Sequence, residues 1–140
     1  MKTLYSTKVD VVGGRNGTAT SDDGLLALKL AQPVAIGGRG GAPNPEQLFA
    51  AGYAGCFGSA VIHVARGRHR ISDDQVAVAA TVGLVSKDDG QIALTVALDV
   101  TIDGVDPETA EAIVAEAHRT CPYSNAVRGN IDVQISVTAR

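Results

Sequence analysis

Residues 44–66 read N-P-E-Q-L-F-A-A-G-Y-A-G-C-F-G-S-A-V-I-H-V-A-R, and the fold turns on how this stretch is read. Asn44 has the short acceptor side chain of an N-cap, Pro45 suits the first helical position, and Gln47 stands where it closes a capping box. A helix therefore starts at Pro45. From Leu48 to Ala65 almost nothing is charged, so this helix is expected to be apolar all round and buried, between sheets or at a subunit contact. It reads as too short and too glycine-rich for a membrane span.

Toward the N-terminus, Tyr5, Thr7, Val9 and Val11 alternate with Leu4, Ser6, Lys8 and Asp10, which is the period of a strand. G-G-R-N-G at 13–17 ends that run with an Asn-Gly hairpin signal and puts Arg15 at or beside the turn. A second strand is expected through Thr18 to Ser21 and a third over L-L-A-L-K-L at 25–30. The loop A-I-G-G-R-G-G-A-P at 35–43 is rich in glycine but lacks the G-x-x-x-x-G-K-[ST] pattern of a phosphate cradle.

Toward the C-terminus, the runs 76–86 and 91–102 flank K-D-D-G. The second places Ile92, Leu94, Val96, Leu98, Val100 and Ile102 on one face of a hairpin. Asp106, Pro107 and Glu108 open a second helix, whose apolar stripe of Ala110, Ile113, Val114 and Ala117 lies opposite Glu111, Glu116 and Arg119. Pro122 starts a short helix to about Arg128, and Ile131, Val133, Ile135 and Val137 alternate in a last strand. The order βββ-α-ββ-α-β gives an α+β fold with mainly antiparallel sheets around a buried central helix, in a single domain over residues 1–140.

Composition narrows the function. A chain of 140 residues with 45% hydrophobic content can bury one core, and a net charge of −3 leaves no basic surface for nucleic acid. The alternating, charged N-terminus lacks the apolar run of a signal peptide, so a cytoplasmic protein without a membrane segment is expected. In a reducing compartment its two cysteines, Cys56 and Cys121, are inert core residues or working thiols. Local position favours Cys121 as the reactive one, since it stands at a helix start where free N–H groups stabilise a thiolate. Cys56 lies mid-helix among Tyr53, Phe57 and Ala60, where desolvation raises a thiol pKa.

Other chemistries are thinly represented. The best metal-ligand spacing is His118-x-x-Cys121, without C-x-x-C or H-E-x-x-H. His63 shares a helix face with Cys56 but is about 10 Å away along a continuous axis, too far for a general base in a cysteine hydrolase. His69 is expected at a solvated helix exit and His118 on the solvent side of the second helix.

Two segments carry a family resemblance. N-P-E-Q-L-F-A-A-G-Y-A-G-C-F at 44–57 and C-P-Y-S-N-A at 121–126 closely resemble the signature segments of the organic hydroperoxide resistance (Ohr) proteins, a branch of the OsmC superfamily. G-G-R-N-G around Arg15 and D-G-L-L-A-L-K-L are similar to that family too. The resemblance implies an intertwined homodimer and a thiol peroxidase that reduces organic hydroperoxides, including those of fatty acids, to alcohols. It further implies Cys56 as the peroxidatic cysteine, Cys121 as the resolving one, and Arg15 with Glu46 as the activating pair. No metal or other cofactor is implied, and the expected reductant is an external dithiol, dihydrolipoamide or a lipoylated protein.

On that basis Phe49, Tyr53 and Phe57 are candidate walls of an alkyl pocket, with ordinary core packing expected of at least one of them. The resemblance thus opposes the local argument about which thiol attacks. It also meets a geometric tension: Glu46 and Cys56 are about 15 Å apart on an unbroken helix. A bend near Gly52, or supply of Arg15 or Glu46 by a partner subunit, would relieve it. The alternative function is an OsmC-type, or non-catalytic redox-sensing or ligand-binding, member of the superfamily.

Overall fold

The structure, a computed structural model, describes all 140 residues. It comprises β1 (Val9–Val12), β2 (Thr18–Ser21), β3 (Ala27–Lys29), α1 (Pro45–Arg66), β4 (Val76–Ser86), β5 (Ile92–Ile102), α2 (Pro107–Thr120), α3 (Pro122–Val127) and β6 (Gln134–Ala139). The expected order stands, with α3 where Pro122 announced it. The chain divides into two compact units, Met1–Leu48 and Phe49–Arg140.

The first unit is built on the antiparallel sheet β1-β2-β3. Its first strand begins at Val9 rather than near Tyr5, because the pairing of β1 runs out where β2 ends, at Val9 opposite Ser21. Between β1 and β2 the chain makes one 3-10 turn over Gly14–Asn16. Gly17 closes it where no other residue fits, since a Cβ there would lie 1.6 Å from the Val12 carbonyl oxygen. The unit ends in the first turn of α1. There the Asn44 Oδ1 accepts from the Gln47 N–H at 3.0 Å and the Asn44 N–H donates to Gln47 Oε1 at 3.1 Å, the capping box read from the sequence.

The second unit has the sheet β4-β5-β6, in which β4 and β5 pair antiparallel and β5 and β6 parallel. Val96, Leu98, Val100 and Ile102 of β5 are buried against Tyr53, Phe57, Val61 and Ala65 of α1 and Ala110, Ile113, Val114 and Ala117 of α2. Each large side chain buried in this way contributes roughly 1.5–3 kcal/mol. The alternation in β5 is buried only in its C-terminal half. Ile92, with Leu84 and Val85 across the turn, is exposed because the 11-residue strands outrun the helices that cover them.

Within the chain, helix α1 is buried along one stripe, Tyr53, Phe57, Val61 and Ala65, against the sheet and α2. At 22 residues it is also long and apolar enough to cross a membrane, contrary to the expectation that it is too short, a test that the core helix of a soluble protein passes as well. Its exposed positions between the ends are Ala51, Gly55, Ser59 and His63.

Candidate active site

Helix α3 sets the geometry. Its N-cap residue is Cys121, whose N–H donates back to the Ala117 carbonyl at 2.8 Å, so α2 runs into α3 with a single corner residue. From that corner the Cys121 thiol points into the core, with no exposure, and donates to the Cys56 sulfur at 3.7 Å. Both cysteines are free thiols. The structure therefore brings together two cysteines that are 65 residues apart in sequence, and it does so inside one unit.

The two thiols differ in access, and the difference reverses the local argument. Cys121, placed at a helix start, is buried, whereas Cys56, placed mid-helix, is half-buried and lines a groove of about 1410 Å³ along α1 and α2. Ser59, His63, Glu108 and Thr120 are among its other lining residues. The first turn of α3 also acts on Cys56: the backbone amide of Tyr123 favours its thiolate. Burial pushes the Cys56 thiol up and outweighs the amide, and the neighbouring Cys121 adds to the rise. Sequence position alone could not show this, because which sulfur a helix N-terminus faces is set by packing across the core.

That packing depends on Gly52. A Cβ there would come within 2.6 Å of the Tyr123 hydroxyl, so the glycine provides the floor on which the Tyr123 ring rests. Phe49 and Tyr53 stack at its edge and side, with centroids 6.3 and 5.7 Å from the Tyr123 ring. Tyr53 and Phe57, expected as pocket walls, are instead fully buried core residues, and Phe49 packs partly buried against that core. None of the three lines the groove at Cys56.

Arg15 and Glu46 meet in the first unit as a two-pronged pair. Arg15 Nη1 donates to Glu46 Oε2 at 2.9 Å and Nη2 to Oε1 at 2.5 Å, the fork geometry that guanidinium and carboxylate share. The hydrogen bonds from Arg15 hold the Glu46 carboxyl below the ordinary carboxylate range, and those to Glu46 raise Arg15 further above neutrality. Glu46 is mostly covered while Arg15 keeps about a third of its side chain open, 14% against 36% exposed. The carboxylate thus orients a cation that retains a free side. Helix α1 is continuous from Pro45 to Arg66, with no break at Gly52.

His118 corrects another expectation. It turns inward, beside the Phe57 ring, and its Nδ1 is 2.9 Å from the hydroxyl of Ser124, which is 2.7 Å from the Tyr53 hydroxyl. Burial pushes the His118 imidazole down, with Arg128 acting in the same direction. Ser124 went unnoticed in the sequence, yet a signal was present. His118 and Cys121 extend the apolar stripe of α2 by i+4 steps from Val114 and Ala117, so they had to face the core.

Residues 38–136 match the OsmC-like protein family. An organic hydroperoxide resistance protein-like 2 from Staphylococcus epidermidis is 44% identical over 98% of this chain and 97% of its own length. The chain belongs to the Ohr branch of the OsmC-like family. Among solved Ohr structures, that of an organic hydroperoxide resistance protein OsmC from Legionella pneumophila superposes with a TM-score of 0.91. It is 52% identical and covers 98% of this chain and 99% of that one. OhrB of Bacillus subtilis superposes with a TM-score of 0.87 at 41% identity, covering 97% and 100%. The α+β architecture derived above is therefore the Ohr architecture. Within it, the thiol pair lies in the segments 44–57 and 121–126 that resembled the Ohr signatures.

Proposed function

We propose that this chain is a thiol-dependent peroxidase that reduces organic hydroperoxides, fatty acid hydroperoxides included, to alcohols. The observation that carries the reading is the thiol pair: two free sulfurs 3.7 Å apart, one at the surface of a groove and one enclosed. The names of its Ohr relatives, organic hydroperoxide resistance proteins, support the substrate class.

In this reading the Cys56 thiolate attacks the terminal peroxide oxygen. The O–O bond breaks, the alkoxide takes a proton and leaves as alcohol, and Cys56 becomes a sulfenic acid. The Cys121 sulfur then attacks that sulfenic sulfur, expelling water and forming the Cys56–Cys121 disulfide. A dithiol, dihydrolipoamide or a lipoylated protein, reduces it in two exchange steps and is itself oxidised. Arg15 acts as the fixed cation that offsets the burial of the thiolate and donates to the peroxide, held in aim by Glu46. The chemistry uses sulfur redox states throughout, so it calls for no metal or bound cofactor. A homodimer suits the exposed face of α1, and a reducing cytoplasm suits a dithiol-fed cycle.

Purified protein, cumene hydroperoxide and dihydrolipoamide test the reading. Sustained peroxide loss is expected. Consumption of a single equivalent followed by arrest would replace the peroxidase with a redox sensor.

A further inference from the structure

Three polar side chains that the proposed chemistry does not use form a line through the core of the second unit. Tyr53 of α1 and Ser124 of α3 have no exposure and share a 2.7 Å hydrogen bond. Ser124 continues it at 2.9 Å to Nδ1 of His118 on α2. A small cavity of about 350 Å³ borders Ser124 and His118 at the outer end of the line. Each of the three helices therefore contributes one member.

The line has only one fully satisfied polarity. The Ser124 hydroxyl carries one hydrogen, and Tyr53 has no second acceptor in the core. Tyr53 therefore donates to Ser124, and Ser124 donates to an unprotonated Nδ1. No buried side-chain polar atom is left without a partner. Burying three polar groups costs free energy unless every bond is made, so such a line fixes the distance between the elements that hold it. Those elements are the ones that carry the thiols. Ser124 follows Cys121 by three residues on α3, the Asn125 N–H donates to the Cys121 carbonyl at 2.9 Å, and Tyr53 precedes Cys56 by three on α1.

We propose that Tyr53, Ser124 and His118 are positioning residues for the resolving step, holding Cys121 at the distance from which it captures the Cys56 sulfenic acid. The proposal rests on the thiol-pair reading above. Disulfide closure must bring the two sulfurs from 3.7 Å to about 2.05 Å, so a small shift of α3 decides whether it succeeds. Closure competes with attack of a second peroxide on the sulfenic acid, which yields alcohol and a sulfinic acid that Cys121 cannot reverse. A loosened α3 slows closure and sends more Cys56 into that side reaction.

The partition between disulfide and sulfinic acid is the measurement. Reduced parent, Ser124→Ala and Tyr53→Phe proteins are each treated with a series of cumene hydroperoxide concentrations without reductant, and the products are resolved by intact mass. Tyr53→Phe keeps the ring and removes only the hydroxyl, so it carries the test if Ser124→Ala does not fold. The ratio of sulfinic acid to disulfide is expected to rise about fivefold to tenfold, the factor one lost buried hydrogen bond is worth. Only variants that keep the parent's melting point enter the comparison, so that a rise in the ratio reports the lost hydrogen bond rather than unfolding. An unchanged ratio in the folded variants overturns the proposal and leaves the peroxidase reading intact. A parent protein that forms neither product overturns the peroxidase reading, and the proposal falls with it.

Discussion

In the proposed mechanism the raised Cys56 thiol sets the pH dependence of the first step. The thiolate is the nucleophile, and its fraction grows about tenfold per pH unit below the pKa, so the rate of peroxide attack is expected to climb steadily from pH 6 toward alkaline pH. Stopped-flow mixing with cumene hydroperoxide reads this directly, and Arg15→Met is expected to move the climb to higher pH if Arg15 offsets the burial of the thiolate. Cys56→Ser should abolish turnover. Cys121→Ser should keep the first oxidation and accumulate sulfinic acid at Cys56, visible by mass; a Cys56→Ser protein that still turns over would remove the assignment of roles.

Helix α1 holds two further tests. Removing the capping box with Asn44→Ala is expected to cost about 1 kcal/mol, read by urea denaturation. Glu46, held below its ordinary value near 4.5 by Arg15, gives a second signature. In acid the unfolded chain binds the proton first, so the pair's stabilisation is complete above that value and is lost as the pH falls through the folded one. Because Arg15 is a third exposed, its contribution is about 1 kcal/mol or less, and a Glu46→Gln protein should melt with a flatter pH dependence below pH 4.5.

Gly52→Ala separates the helix from the site it shapes. Alanine favours the helix by about 1 kcal/mol, but its methyl meets the Tyr123 ring and disturbs the first turn of α3 beside Cys56. Alkylation of Cys56 by iodoacetamide at a fixed pH is expected to slow while the melting point holds.

The elements also show what was legible in advance. Signals contained in a few consecutive residues were readable: the cap at Asn44, the turn at Arg15, the alternation of β5 and the proline that starts α3. What depended on contacts between distant segments was not. The i+4 stripe of α2 shows that Cys121 faces the core, but nothing near it shows that it meets Cys56, because that contact joins segments 65 residues apart. Tyr53 and Phe57 looked like pocket walls because an aromatic residue beside a reactive cysteine suits a pocket and a core equally, and only the contacts with β5 and α2 decide between them.

For the whole molecule, the uncovered face of α1 predicts association. Ala51, Gly55, Ser59 and His63 form an exposed line at four-residue spacing, and a Cβ at Gly55 would meet nothing within 4 Å of its own chain. Gly55→Arg therefore fits the isolated chain and should convert a dimer to monomer in sedimentation velocity if this face is the contact. Oxidation acts on the same scale. A disulfide closing the 65-residue separation is expected to stabilise the protein by about 4 kcal/mol over the reduced form, seen as a higher melting point after one equivalent of peroxide.

The complete enclosure of Cys121 gives the cycle a regiochemistry. In the proposed cycle, a dithiol approaching the disulfide would reach only the sulfur that borders the groove, so the mixed disulfide is expected on Cys56 with Cys121 as the leaving group. On that cycle the enclosed sulfur would be freed without meeting a reductant, and the order of bond exchange in the return half would follow from which sulfur the core hides.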